Sequence, residues 1–262
     1  MENLDNNTLL LTLIATFFTF LVTSLGSSLV FFFKKINKTV LDIMLSISAG
    51  VMIAASFFSL LNPAIILANN QNKITWLVLF IGFILGGLLL YISGLLFEKK
   101  YSNKYKKNNI KRNIMLFLSI TIHNIPEGMA IGVAFASIAF NIEGATMEAA
   151  MMLALGIGIQ NFPEGCAVSL PLRRDKISRF KSFLLGSLSG FVEIISGLLG
   201  ALLVMIINNI LPYLLSFAAG AMIYVVVEEL IPESQTNNNK ELMTLFTLIG
   251  FSIMMILDIS FG

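Results

Sequence analysis

The sequence predicts an all-α integral membrane protein: one bundle of eight transmembrane helices, with proline kinks in the fourth and fifth. Three observations carry this. Of the 262 residues, 56% are hydrophobic and only 12% charged, and the mean hydropathy of +0.87 lies far from that of a soluble domain. Apolar runs long enough to cross the hydrocarbon core, which takes roughly 20 residues, follow one another with short polar breaks. Lysine and arginine gather at every second break, as cytoplasmic connections do. Spans near 8–33, 39–67, 74–97, 113–140, 146–172, 182–207, 212–231 and 241–260 use up nearly the whole chain. Residues 1–262 are therefore expected to form a single transmembrane domain.

The first run, Leu9 to Phe33, follows Glu2 and Asp5 rather than the positive stretch of a secretory signal, so it is expected to stay as a membrane helix. Lys34, Lys35 and Lys38 close it. The second span is crowded with Ser46, Ser48, Gly50, Ala54, Ala55 and Ser56, small residues that let helices approach closely in lipid. Trp76 opens the third span, where an amphipathic ring anchors the interface. Lys99, Lys100, Lys104, Lys106, Lys107, Lys111 and Arg112 make 98–112 a basic, solvated cytoplasmic loop. Arg173, Arg174, Lys176, Arg179 and Lys181 follow the fifth span, and Lys240 the seventh. Only Lys73 stands at the other connections, which places both termini outside the cytoplasm and the protein in the cell membrane. A single cysteine, Cys166, excludes a disulfide within the chain and a cysteine-based zinc finger.

Two segments break the apolar rule and nearly copy each other: His123-Asn124-Ile125-Pro126-Glu127-Gly128 and Gln160-Asn161-Phe162-Pro163-Glu164-Gly165. An ionisable side chain inside a span costs several kcal/mol unless it is paired, solvated or bound to an ion. Helical spacing puts His123 and Glu127 on one face at i and i+4, and Gln160 and Glu164 in the same relation on the next helix. Each proline lacks an N–H and displaces the carbonyl four residues back, that of Ile122 or Ile159, which opens the helix beside the polar groups. Interrupted helices at matching positions point to a transport site. Imidazole, carboxylate and amide oxygen together suit zinc and its first-row neighbours. Two carboxylates balance one divalent ion, and a neutral complex is cheaper to bury than its parts.

Glu193, in the sixth span, is a third buried carboxylate. With Asn124 and Asn161 it could complete a second, weaker ion position that shares Glu127 and Glu164. Glu228 and Glu229, near the inner end of the seventh span, stand where an exit path would pass, and interfacial solvation explains them equally well. Asp42 and Asp258, near span ends, read as structural.

HNIPEG and QNFPEG resemble the signature of the ZIP (Zrt/Irt-like) metal transporters. AGVMIAASFFSLLNPAI at 49–65 and AGAMIYVVVEELIPESQ at 219–235 look like its bacterial GufA-type branch. The resemblance implies eight helices with both termini outside the cytoplasm, and movement of zinc, in some members iron, manganese or cadmium, into the cytoplasm. It implies as ligands His123, Asn124, Glu127, Gln160, Asn161 and Glu164, with Glu193 from the sixth helix, around one or two ions. The loop between the third and fourth helices, often histidine-rich in the family, has no histidine here, and some binuclear relatives carry aspartate where Asn161 stands. Divalent metal ions and the lipid bilayer are the expected partners, nucleic acid is not, and a homodimer is one assembly such a bundle admits.

Two other classes remain as alternatives. A membrane metalloenzyme of the HExxH or di-iron type needs at least two histidines, and the chain has one. A proton or organic-solute transporter would use His123 and the glutamates as a relay and would ignore chelators.

Overall fold

The structure, a computed structural model, describes residues 2–33, 37–102, 109–139, 145–174, 176–206, 208–235 and 239–261. Within these, side chains at 2–6, 97–102, 109–116, 118–119, 123, 174, 205–206, 208 and 261 lie outside the description. Regular structure among the described residues is helical throughout: α1 (Glu2–Phe32), α2 (Lys38–Ala55), a π-helical turn (Ser56–Leu61), α3 (Asn62–Asn70), α4 (Thr75–Ser102), α5 (Asn109–Ala139), α6 (Met147–Arg174), α7 (Arg179–Ile206), a 3-10 turn (Asn208–Ile210), α8 (Leu211–Val225), a second π-helical turn (Val226–Leu230), α9 (Ile231–Ser234) and α10 (Lys240–Phe261). The loop expected at 98–112 is shorter than its charge suggested. Helix continues into it from both sides, and 103–108 lie outside the described residues.

Among the described residues, six stretches are long and apolar enough to cross a membrane: Asn7–Phe32, Lys38–Asn70, Thr75–Leu96, Arg179–Val204, Leu211–Ser234 and Lys240–Ser260. Their outward faces are apolar. Leu10, Ile14, Phe17, Leu21 and Leu25 are exposed along α1, as are Phe80, Ile84 and Leu88 along α4. Trp76 is 69% exposed at the start of α4, as an interfacial anchor would be. Polar residues are buried instead. Thr8, Thr12, Thr16, Thr19, Thr23 and Ser27 form a stripe of buried hydroxyls on α1, whose members return their O–H to the carbonyl a turn earlier at Thr16, Thr19 and Thr23.

The helices are held by glycines at backbone-to-backbone contacts. A Cβ on Gly26 would strike the Phe162 carbonyl and one on Gly165 the Thr23 carbonyl, and Gly158 meets Phe18 a few residues earlier on both helices, so α1 and α6 run side by side in parallel. Gly128 meets the Glu193 backbone and Gly132 that of Gly197, which pairs α5 with α7 in the same way. Gly50 meets Thr247 while Gly250 meets Ile47, pairing α2 with α10; Gly220 meets Phe83 while Gly86 meets Phe217, pairing α8 with α4. Close approach of this kind is how helices bind one another in lipid, where no hydrophobic force acts between them.

These pairings repeat. The α2–α10 contacts at Ile47, Gly50, Thr247 and Gly250 are the α8–α4 contacts at Phe217, Gly220, Phe83 and Gly86, position for position. Ala49, Gly50, Met52 and Ile53 match Ala219, Gly220, Met222 and Ile223 in the same register, and the two π turns fall at corresponding places. Gly165 on α6 plays against α1 the part of Gly128 on α5 against α7. Between the halves, α1 and α7 cross in opposite directions: Thr16 meets Gly197, Thr23 meets Gly190 and Ser27 meets Gly186. The molecule is thus two related halves, α1–α4 and α7–α10, about an internal two-fold through α5 and α6.

Candidate metal site

The twin polar segments lie on α5 and α6, where Pro126 and Pro163 sit within helix assigned as α throughout. Asn124, Glu127, Gln160, Asn161 and Glu193 are fully buried and Glu164 is 1% exposed. The sequence placed these groups on three helices, and the glycine contacts explain why they meet. Gly128 draws α5 onto α7 at Glu193, and Gly165 draws α6 onto α1 at Thr23 and Ser27.

The hydrogen bonds run between helices. Gln160 Nε2 donates to Glu127 Oε1, joining α6 to α5. Asn161 Nδ2 donates to both oxygens of Glu193, at 2.8 and 2.9 Å, joining α6 to α7. Thr19 Oγ1 adds a 2.5 Å bond to Glu193 Oε2 from α1. Asn124 Nδ2 donates to the Ser189 carbonyl at 3.0 Å, and Ser48 Oγ reaches the Gln160 carbonyl from α2 at 3.4 Å. Glu127 and Glu164 both lie within electrostatic reach of Glu193.

One regularity runs through these bonds. Each of the three amides spends its N–H on a protein acceptor, while the oxygens Asn124 Oδ1, Gln160 Oε1 and Asn161 Oδ1 accept no hydrogen bond among the described residues. A buried amide oxygen without a donor costs free energy. A cation is the partner that carboxylates and amide oxygens accept together. Among the described residues no three His, Cys, Asp or Glu side chains cluster as a metal cage by themselves; the donors form a mixed carboxylate and amide set. The side chain of His123 lies outside the described residues.

Glu228 and Glu229 are apart from this set, on the π turn Val226–Leu230, the first exposed and the second half-buried. Sequence reasoning missed Thr19, Ser48 and Ser189. A faint signal existed for Thr19, since the hydroxyls of α1 recur every third or fourth residue, the spacing of one helix face. Nothing in the sequence singled out Ser48 or Ser189 as neighbours of the twin segments.

A cavity of about 380 Å³ lies between the π turn Ser56–Leu61, α3, α5, the start of α6 and the end of α10. Ser59, Asn62, Ser137, Thr146 and Asp258 supply its polar wall. Its lining includes Ala134 and Leu153, each two helical turns from Glu127 or Gln160, about 10 Å of helix rise.

Residues 98–258 match a family model described as ZIP Zinc transporter. The chain is 36% identical to "Zinc transporter ZIP11" of Xenopus tropicalis over 326 aligned residues, covering 95% of the chain and 97% of that relative. It is 32% identical to "Zinc transporter GufA" of Myxococcus xanthus, over 95% of the chain and 98% of the relative. With "Zinc transporter ZIPB" of Bordetella bronchiseptica the identity is 33%, over 93% and 79%.

Proposed function

Since this chain belongs to the ZIP zinc transporter family and its substrate is zinc, we propose that the ion crosses the membrane between α5, α6 and α7, held by His123, Asn124, Glu127, Gln160, Asn161, Glu164 and Glu193. The observation that carries this reading is the arrangement of the three amides, with each nitrogen donating to a protein acceptor and each oxygen left over, among three buried carboxylates. In this reading α5 and α6 also cross, giving eight spans. The basic connections face the cytoplasm, both termini face outward, and zinc moves inward. Pro126 and Pro163 take two backbone N–H groups out of the helix ladders beside the ligands.

The amides act as placeholders. Without an ion, N–H donors of Gln160 and Asn161 hold the carboxylates of Glu127 and Glu193 in a dry interior, where bare charges are costly. When zinc arrives the carboxylates turn to the metal, and the amides rotate to offer oxygen. Releasing the ion reverses the exchange, so the carboxylates of Glu127 and Glu193 keep a partner in both states. Glu127 and Glu164 with one divalent ion make a neutral first position; Glu193, Asn124 and Asn161 complete a second, weaker one. The same donor set admits iron, manganese or cadmium.

The test is zinc flux into liposomes containing the purified protein, with a zinc-responsive dye inside. Glu127→Ala and Glu164→Ala should abolish uptake at every zinc concentration while each protein elutes as a folded species. Wild-type flux in either variant would remove this site.

A further inference from the structure

The internal two-fold relates α1 to α7 residue by residue, and at one buried position the two halves differ in charge. Gly165 against the Thr23 carbonyl repeats Gly128 against the Glu193 carbonyl, and the contacts of Thr16 with Gly197 and of Ser27 with Gly186 are one contact seen from either half. The register that follows carries Thr16 to Gly186, Thr19 to Ser189, Thr23 to Glu193 and Ser27 to Gly197. α7 therefore has an acid where α1 has a hydroxyl. The acid has no twin, and α1 answers it with a hydrogen bond from Thr19.

Glu193 is fully buried and accepts hydrogen bonds, among the described residues, from Asn161 Nδ2 and Thr19 Oγ1. The Thr19 hydroxyl has one proton and two acceptors in reach, the Thr16 carbonyl of its own helix at 3.0 Å and Glu193 Oε2 at 2.5 Å. The shorter, charge-assisted contact takes the proton. Thr16 and Thr23 give theirs to carbonyls of α1, and Ser189, the counterpart of Thr19, gives its own to the Gly186 carbonyl. Of these four hydroxyls, Thr19 is the one that crosses to a carboxylate.

We infer that Thr19 is a positioning residue of the ion site, the fixed point that keeps Glu193 aimed at the ion while Asn161 lets go. This rests on the transport reading above, in which the Asn161 amide turns from Glu193 to offer its oxygen. That turn removes both amide bonds at once. A carboxylate oxygen has two lone-pair directions, so Oε2 can face the metal with one and keep the Thr19 hydroxyl on the other. Metal-binding carboxylates that lose such an outer partner lose roughly tenfold to a hundredfold in affinity. In this way α1 takes part in ion binding without supplying a ligand of its own.

Equilibrium dialysis of the purified protein against zinc, carried to saturation, tests this, and the affinity read is that of whichever zinc Glu193→Gln weakens. Thr16→Val, Thr19→Val and Thr23→Val keep their shape and each removes one buried hydroxyl, so the first and last are controls. Thr19→Val should weaken that zinc about tenfold, the controls less than about twofold, and Thr19→Ser should stay within about threefold of wild type. Because Thr19 acts through the carboxylate, Thr19→Val added to Glu193→Gln should cost less than about twofold more. Thr19→Ala is read in the same way should the valine variant not fold. Equal losses in the three valine variants, or a further tenfold loss on top of Glu193→Gln, would overturn the inference. A weakened Glu193→Gln beside a wild-type Thr19→Val would overturn the role of Thr19 and leave the ion site standing. Wild-type affinity in Glu193→Gln would remove Glu193 from the ligand set and Thr19 with it, whereas failure of the central reading shows as wild-type flux in Glu127→Ala or Glu164→Ala.

Discussion

Proline interrupts this molecule in two ways. In α5 and α6, Pro126 and Pro163 sit inside helix that remains α in type, surrounded by buried carboxylates and amides. Before α3 and α9, Pro63 and Pro232 are each preceded by a turn that has widened to π geometry. There the residue ahead of the proline reaches five residues back, Asn62 to the Phe57 carbonyl and Ile231 to the Val226 carbonyl. The wider turn makes room for the ring and absorbs the missing hydrogen bond. Proline by itself therefore does not mark the proposed ion site. What marks it is proline together with side chains that could not be buried without a partner. The widened turns carry other polar groups, Ser59 bonded to Asp258 on one and Glu228 and Glu229 on the other.

Four measurements bear on this contrast, the largest expected effect first. Gln160→Leu removes the N–H that holds Glu127 and one of the leftover oxygens, and zinc flux should fall at least about a hundredfold, as for loss of a hydrogen-bonded ligand worth ~3 kcal/mol. Pro163→Ala restores a backbone donor beside the ligands and should cut flux about tenfold, whereas Pro63→Ala and Pro232→Ala should change it less than about threefold. Equal losses at all three prolines would erase the distinction. Thr19→Val deletes the 2.5 Å bond to Glu193, and its expected cost of about 1.5–3 kcal/mol should appear as roughly tenfold weaker zinc binding or flux, with the thermal transition nearly unmoved. The smallest effect should come from the connection between α3 and α4. Lys73 donates to the Asn209 carbonyl and stands 5.2 Å over the Tyr213 ring, so Lys73→Met should lower thermal stability by about 1 kcal/mol or less and leave flux intact.

External pH adds a further check on the ligand set. His123 and the carboxylates must shed protons to bind a metal, so uptake should weaken as the pH of the loading side falls. A relay that carried protons instead would speed up under the same gradient and ignore a chelator.

Much of this architecture was readable from the chain. The run lengths gave six of the helical stretches, and the polar twins pointed to the buried polar cluster on α5, α6 and α7, because an acid within an apolar run is a local anomaly. The π turns escaped attention, although Pro63 and Pro232 were in plain sight. Helix type depends on how neighbours tolerate a wider turn, and that is a tertiary property. The repeat escaped for a related reason. Ala49-Gly50 and Ala219-Gly220 were visible as similar strings, but their equivalence lies in what each glycine touches, Thr247 for one and Phe83 for the other. Thr19 was hidden among hydroxyls that mostly bond their own helix. Asp258, which the sequence suggested was structural, accepts a hydrogen bond from Ser59 and also lines a cavity.

The polar load of α5 and α6 also bears on biogenesis. Each carries a carboxylate within its helix, Glu127 on α5 and Glu164 on α6, and a charged residue at a helix centre costs about 2.5–3.5 kcal/mol on the scale set by the insertion machinery. Presented singly, these two segments would be poor substrates for lateral release into lipid. Their carboxylates and amides become tolerable only once α1 and α7 flank them, with Thr19 and Ser189 in place. With α5 and α6 crossing as proposed, the growing chain keeps its middle waiting in a sheltered vestibule until α7 is made, and a ribosome stalled before Glu193 should leave a product that chaperones and proteases treat as unfinished.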